Sequence, residues 1–344
     1  MEQIVECVPN FSEGRDARII GAIGDAVRNI AGVKLLGVEP DKDYNRTVVT
    51  FVGSPEAVVT AAFEATRTAA ELIDMRAHHG AHPRLGATDV VPFIPVRGAS
   101  MDDCVELAKQ YARRVGDELH IPVYLYEYAA ATPARRNLAD VRKGEYEGLA
   151  AKLGDPTWLP DFGPAVFNER SGGTIAGARK ILIAYNVNLN IADAAAAQEI
   201  ALRIREIGRP MKDEAGTVMK DEHGAARRIP GTLKAVKAMG VLLERCNIAQ
   251  VSINLVDYPV TPPHVVFEEV ARQARTLGID VTGSELVGLM PLDALLMAGR
   301  HYAARNGGAA ALSDRDLCEI AVKELGLSQL EPFIAENKII EYQL

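Results

Sequence analysis

Lys180-Ile-Leu-Ile-Ala-Tyr-Asn-Val-Asn-Leu189 is the stretch whose reading divides the chain. It is rich in β-branched and aromatic residues and is bounded by polar ones, so it reads as a buried strand. Asp193 follows, placed to cap a helix from Ala194 to about Ile207. Strands at residues 240–245 and 249–256 come next, Thr261-Pro262-Pro263 opens a helix to Leu277, and residues 285–289 close the set. The order is β-α-β-β-α-β, and it also occurs upstream. Residues 4–8 form a strand ending at Pro9-Asn-Phe-Ser-Glu-Gly14. Ile19, Ile20, Ile23, Ala26 and Val27 then recur at helical spacing. Strands at 33–38 and 46–52 flank a polar turn, Ser54 and Pro55 open a helix to about Met75, and residues 89–96 form a strand. Two such units in tandem predict an α+β fold of two ferredoxin-like subdomains. Each would leave one sheet face open, covered most simply by the other's.

The remaining segments fit around this duplication. A helix is expected at 102–116, an apolar strand at 121–126 and a Pro/Gly-rich loop from Gly154 to Gly177. Residues 208–231 carry both signs of charge and read as a mobile surface excursion. The tail from Ser313 reads as two short helices and a final strand at 339–342. The expected boundaries are 1–179 for the first subdomain, 180–304 for the second and 305–344 for the tail.

Composition narrows the function classes. Of 344 residues, 48% are hydrophobic and 24% charged, which is ordinary for a globular protein. A formal net charge of -8 argues against general affinity for nucleic acid or an anionic membrane. No apolar run is long enough to span a bilayer, and Met1-Glu2 opens without a basic segment, so no secretion signal is expected. Cys7, Cys104, Cys246 and Cys318 are scattered, which fits reduced thiols in a cytoplasmic protein.

The densest chemical signal is His78-His79-Gly80-Ala81-His82-Pro83-Arg84-Leu85-Gly86, which holds three of the seven histidines. A zinc site needs ligands converging from one face. His78 and His82 are four apart, but Gly80 and Pro83 interrupt a helix and no intervening glutamate completes a zinc-protease motif. Zinc is therefore the weaker reading, and no metal is expected. Acid–base chemistry needs only one imidazole on a rigid loop facing a cleft, and His82-Pro83-Arg84 supplies a fixed backbone with a cation beside it. Solvated loop histidines are the plain alternative. Gly172-Gly173-Thr-Ile-Ala-Gly177-Ala-Arg-Lys180 lacks the lysine of a P-loop and precedes a strand rather than following one, which leaves a glycine-rich hinge or linker. Arg46, Arg84, Arg97, Arg135, Arg136, Arg179 and Lys180 fall at strand ends or loops. They could line a positive cleft for carboxylates, although surface ion pairs account for most of them.

Several longer blocks carry a family resemblance. They include Val5-Glu-Cys-Val-Pro-Asn-Phe-Ser-Glu-Gly14, Asn45-Arg-Thr47, Gly80-Ala-His-Pro-Arg-Leu-Gly86, Pro92-Phe-Ile-Pro-Val-Arg-Gly98, Pro122-Val-Tyr-Leu-Tyr126, Pro160-Asp-Phe-Gly-Pro164, Ala249-Gln-Val-Ser252 and Ile339-Ile-Glu-Tyr342. In order and along essentially the whole chain, these resemble the glutamate formimidoyltransferases, whose domain also forms the N-terminal part of formimidoyltransferase-cyclodeaminase. The resemblance implies transfer of a formimino group from N-formimidoyl-L-glutamate to N5 of tetrahydrofolate, in histidine degradation. The products would be 5-formimidoyltetrahydrofolate and L-glutamate. It further implies tetrahydrofolate or its polyglutamates as co-substrate, an electropositive tunnel between the subdomains and a homodimer. With no cyclodeaminase region present, no channelled second step is expected on this chain.

The resemblance also implies residue roles. The family's catalytic histidine matches His82. Its folate loop matches Gly163, Pro164, Ala165, Val166, Phe167, Asn168, Glu169, Arg170, Ser171 and Gly172, here more charged at Asn168-Glu169-Arg170. Glu39 stands where the family has a shorter aspartate and is the candidate carboxylate beside the cationic amidine. Apart from the resemblance, Arg84 or Arg46 could hold the donor's carboxylates, and Asn186 and Asn188, at the end of the second half's first strand, could bind pterin or glutamyl groups. The competing readings are 5-formyltetrahydrofolate cyclisation, another formimino donor, a non-catalytic folate-binding protein and a zinc hydrolase.

Overall fold

A computed structural model describes residues 3–42, 44–80, 82–307 and 312–344, with nothing stated for the side chain of Arg245. Met1-Glu2 and the start of the expected tail at 308–311 lie outside the described residues. The chain divides into two compact units, Met1–Lys180 and Ile181–Leu344.

In the first unit β1 (Ile4–Cys7), β2 (Asn10–Phe11), α1 (Ala17–Arg28), β3 (Val33–Asp41), β4 (Arg46–Gly53), α2 (Pro55–Leu72) and β5 (Thr88–Arg97) follow the expected order. The strands pair antiparallel as β5-β1-β4-β3, the ferredoxin-like arrangement, and β2 continues β1 between β4 and β5. Each helix start has a local cause. The Asp16 side chain accepts from Arg18 N at 2.8 Å to cap α1. Ser54 stands at the cap of α2 without a side-chain bond, and Pro55 supplies the first helical φ. α3 (Met101–Leu119) opens on a reciprocal Ser100/Asp103 capping box. The apolar stripes of α1, α2 and α3 meet one face of the sheet, around Phe11, Phe51, Phe63 and Tyr111.

The sheet then grows beyond the ferredoxin-like core. β6 (Val123–Glu127) and β7 (Thr174–Ala178) add parallel strands in the order β5-β7-β6. β7 lies inside the stretch expected to be a Pro/Gly-rich loop and glycine hinge, and it is fully buried. The correction has a steric reason. A Cβ at Gly177 would lie 2.4 Å from Tyr126 O and 2.5 Å from the Tyr126 ring, so small residues let β7 seat against β6. α4 (Leu138–Arg142) and α5 (Glu145–Leu153) cover the other face of these strands, over Tyr124, Tyr126 and Ile175.

The second unit contains β8 (Ile183–Leu189), α6 (Ala194–Ile204), the short β9 (Arg209–Pro210) and β10 (Arg228–Ile229), β11 (Val236–Leu243), β12 (Ile248–Leu255), α7 (Pro263–Arg275) and β13 (Val281–Val287). Its sheet runs β13-β8-β12-β11, all antiparallel, which is the same ferredoxin-like order. α8 (Leu292–Arg305) and α9 (Asp314–Glu324) pack into the same core as α6 and α7. Residues 208–231 are exposed but regular, which corrects the expectation of an irregular excursion. Oδ1 of Asp213 accepts from the N–H groups of Ala215 and Thr217, and Oδ1 of Asp221 accepts from those of His223 and Ala225, closing two like turns. The terminal segment is also corrected. α10 (Ala335–Lys338) leads to one bridge, Ile339 with Met290, and Ile340–Gln343 is then a 3₁₀ turn rather than a strand. Among the described residues, no helix is long and apolar enough to cross a membrane.

Two stability predictions follow from these contacts. Gly177→Ala should lower the denaturant midpoint by about 1–3 kcal/mol equivalent, the usual cost of overpacking. His264 of α7 is buried, its Nδ1 has no hydrogen-bond partner, and burial, with His301 stacked on it, pushes its pKa down to about 4. A histidine depressed in the folded state binds its proton preferentially when unfolded, so stability falls as pH drops from about 6.5 towards 4. Chemical denaturation at pH 7 and pH 5 should differ by about 2 kcal/mol through this group, and His264→Gln should flatten that slope.

Candidate active site

The crevice around His82 is built from four segments of the first unit. β2 ends in Phe11-Ser12, the turn into β4 supplies Tyr44, Asn45 and Arg46, the following loop supplies His78, His82 and Arg84, and β5 opens with Asp89. Asn45 ties three of these together. Its Oδ1 accepts from Gly14 N at 2.9 Å, its Nδ2 donates to His79 O at 2.9 Å, and its carbonyl lies 2.9 Å from His78 Nε2. The φ of 48° at Asn45 is the left-handed conformation that asparagine tolerates better than most residues. Gly80 completes the fit, since a Cβ there would lie 2.3 Å from Tyr44 O. Ser12 Oγ donates to Gly86 O at 2.7 Å and pins the far end of the loop.

The ionic layout separates the cations. The Arg84 guanidinium donates to Glu147 through both terminal nitrogens, at 2.8 and 2.6 Å, and to Glu145 at 3.0 Å. Its Nε–H donates to His78 Nδ1 at 3.3 Å. Arg84 is therefore paired with carboxylates of its own chain. Both ring nitrogens of His78 are likewise engaged. The Arg142 guanidinium reaches from α4 to the buried carboxylate of Asp89, which also accepts from Leu85 N at 2.9 Å. Arg46 is treated differently. It lines the crevice with its Nε buried and without a hydrogen-bond partner. Burial pulls its pKa down to about 10, opposed by Asp89, so it stays charged at neutral pH.

His82 sits among these groups with the Tyr44 ring edge-on at 6.0 Å between centroids. Burial, then the positive charges of Arg46 and Arg142, push its pKa down to about 4, with Asp89 opposing. At neutral pH the ring is thus an uncharged imidazole able to accept a proton. The side chains close the crevice so tightly that no water-sized space remains.

The other expected site residues are distributed around this centre. Glu39 is exposed on the edge strand β3, paired with Val48, and is not among the lining residues. The carboxylate beside His82 is Asp89, which the sequence presented only as the polar start of an apolar strand. Gly163–Gly172 joins the loop through a Gly86–Gly172 bridge and an Ala87 N to Ser171 O bond of 2.9 Å. Phe167 packs against Tyr146 at 5.3 Å, Asn168 Oδ1 accepts from Ser171 N, and Arg170 donates to Ala70 O and Glu71 O at the end of α2. Gly163, Ala165, Val166 and Glu169 are exposed, and Pro164 is partly so. Asn186 and Asn188 belong to the second unit, on the sheet face away from α6 and α7. Asn188 is fully buried, donating to Gln329 at 2.6 Å and accepting from Gln250 at 2.7 Å. Asn186 lies 3.5 Å from both Gln250 and Glu285.

Asp89→Asn would keep an acceptor for Leu85 N but leave the Arg142 guanidinium without its counter-charge. Its unfolding free energy should drop by about 3 kcal/mol, the usual cost of breaking a buried pair from one side. The His82 midpoint, followed by NMR, should fall further because the negative charge that raises it is gone.

Comparison with known proteins agrees with this architecture. Residues 4–179 match the model of the formiminotransferase domain, N-terminal subdomain, and residues 184–344 match that of the formiminotransferase domain. The chain is 45% identical to the formimidoyltransferase-cyclodeaminase of Dictyostelium discoideum over its whole length and 48% identical to that of Rattus norvegicus over 99% of it. It spans 61% and 60% of those two proteins. It is also 41% identical to the glutamate formimidoyltransferase of Streptococcus pyogenes serotype M1, over 88% of this chain and 94% of that one. Carrying both subdomains in order, the chain belongs to the formiminotransferase family.

Proposed function

We propose that the protein is a glutamate formimidoyltransferase, moving the formimino group of N-formimidoyl-L-glutamate to N5 of tetrahydrofolate. The observation that carries this reading is the uncharged His82 beside the unpaired cation of Arg46, within a chain that spans 94% of a relative bearing that name. N5 attacks the amidine carbon and forms a tetrahedral centre bearing three nitrogens. The proton lost by N5 passes to the His82 imidazole. It then passes to the glutamate nitrogen as the carbon–nitrogen bond to glutamate breaks. One base thus serves both transfers and ends the cycle neutral.

Arg46 is the remaining guanidinium for a donor carboxylate once Arg84 and Arg142 are matched. The exposed Gly163–Val166 half of the loop is the proposed folate contact, held by the anchored Phe167–Gly172 half. The family's homodimer and cytoplasmic setting are part of the same proposal and rest on that kinship alone. Tetrahydrofolate enters as co-substrate, and the scheme uses no metal.

A spectrophotometric transfer assay with formiminoglutamate and tetrahydrofolate tests the reading. Wild type should turn over, and His82→Ala should lose about 10²–10⁴-fold in kcat while still binding folate. Undiminished turnover in His82→Ala would contradict the assignment, and folate binding without transfer to any formimino donor would mark a binding protein.

A further inference from the structure

The groups facing His82 are Arg46 on β4, Tyr44 on the preceding turn, Arg142 on α4, Asp89 on β5, and His78 and Arg84 on its own loop. Arg84 is neutralised by Glu145 and Glu147, and Arg142 by Asp89. Arg46 alone keeps a buried donor without an acceptor. A guanidinium nitrogen shielded from water and lacking an acceptor costs free energy that a ligand anion recovers. The vacant donor faces the same crevice as the imidazole, so an anion placed there changes the charge that the imidazole experiences.

We propose that a carboxylate docking on Arg46 is what makes His82 basic, so that the acidic donor switches on the base that processes it. The identity of the donor rests on the formimino-transfer reading; the carboxylate seat and its effect on His82 do not. Without an anion, two positive charges against one negative disfavour an imidazolium. With a carboxylate on Arg46 the charges balance. The proton released by N5 can then rest on His82 before it moves to the departing nitrogen, and no net proton is gained or lost. The depressed pKa of the free ring agrees with this geometry. Cancelling one nearby charge in a partly buried site should raise it on the order of one to two pH units. A donor without a carboxylate would then lose kcat as well as affinity, because the missing interaction tunes the base rather than only holding the substrate.

The test is an NMR titration of the His82 ring in full-length protein, with L-glutamate as probe. Saturating L-glutamate should raise the His82 midpoint by one unit or more. Arg46→Gln should show the raised midpoint without ligand and no further response to glutamate. Arg46→Lys, which keeps the charge, should retain the low midpoint, separating charge from a merely structural role. Three results would overturn the proposal: an unmoved midpoint in glutamate-saturated wild type, an unmoved midpoint in folded Arg46→Gln, or no glutamate binding at all. None of these readouts uses turnover, so failure of the transferase reading would appear separately, as absent transfer beside an intact glutamate-linked shift.

Discussion

An unmatched guanidinium beside an uncharged imidazole sets the character of the candidate site. Three arginines converge on the crevice, and the fold supplies carboxylates for two of them. The third, Arg46, remains buried at its Nε with nothing to bond. Buried polar groups without partners are few in folded proteins, and where one persists beside a titratable ring the two are best explained together. Asn45, bonded through its side chain and carbonyl to Gly14 after β2 and to His78 and His79 of the histidine loop, holds that pair in register.

The ferredoxin-like frame explains why the site is rigid. The strands of the first unit bury one face under α1, α2 and α3, and α4 and α5 cover only the added parallel strands on the other. The crevice is assembled where β5 begins, from loops that leave the ends of β2, β4 and β5. Loops fixed by a packed sheet are where functional groups are commonly presented. The second unit repeats the frame, and on its sheet face away from α6 and α7 Asn186, Asn188, Gln250 and Glu285 form a polar network on neighbouring strands.

Much of this was legible in sequence, for identifiable reasons. β-branched runs bounded by turn residues, and apolar residues at helical spacing, exposed both β-α-β-β-α-β units. The histidine loop stood out by composition, and His82 lies at the centre of the crevice. β7 was missed because Thr-Ile-Ala-Gly-Ala lacks the bulky residues that mark strands, although small size is what its close seat against Tyr126 requires. Glu39 was assigned because the family has an aspartate there, and Arg84 because it neighbours His82 in sequence. Only three-dimensional pairing reveals that Arg84 is spent on Glu145 and Glu147, residues 61 and 63 positions away. Asp89 escaped notice for the same reason, since its partner Arg142 is 53 positions away. The two turns at 208–231 were legible only as polar sequence, because their order comes from aspartate side chains bonding their own backbone.

The central claim is that His82 handles the pterin proton while Arg46 holds the acidic donor. Its most direct measurement is an experimental structure of the protein with L-glutamate and a 5-substituted tetrahydrofolate bound together. The account predicts a carboxylate on the Arg46 guanidinium and the N5 substituent within about 3 Å of the His82 imidazole, or one water away. A pterin seated beyond reach of that ring, or a glutamate that ignores Arg46, would contradict it.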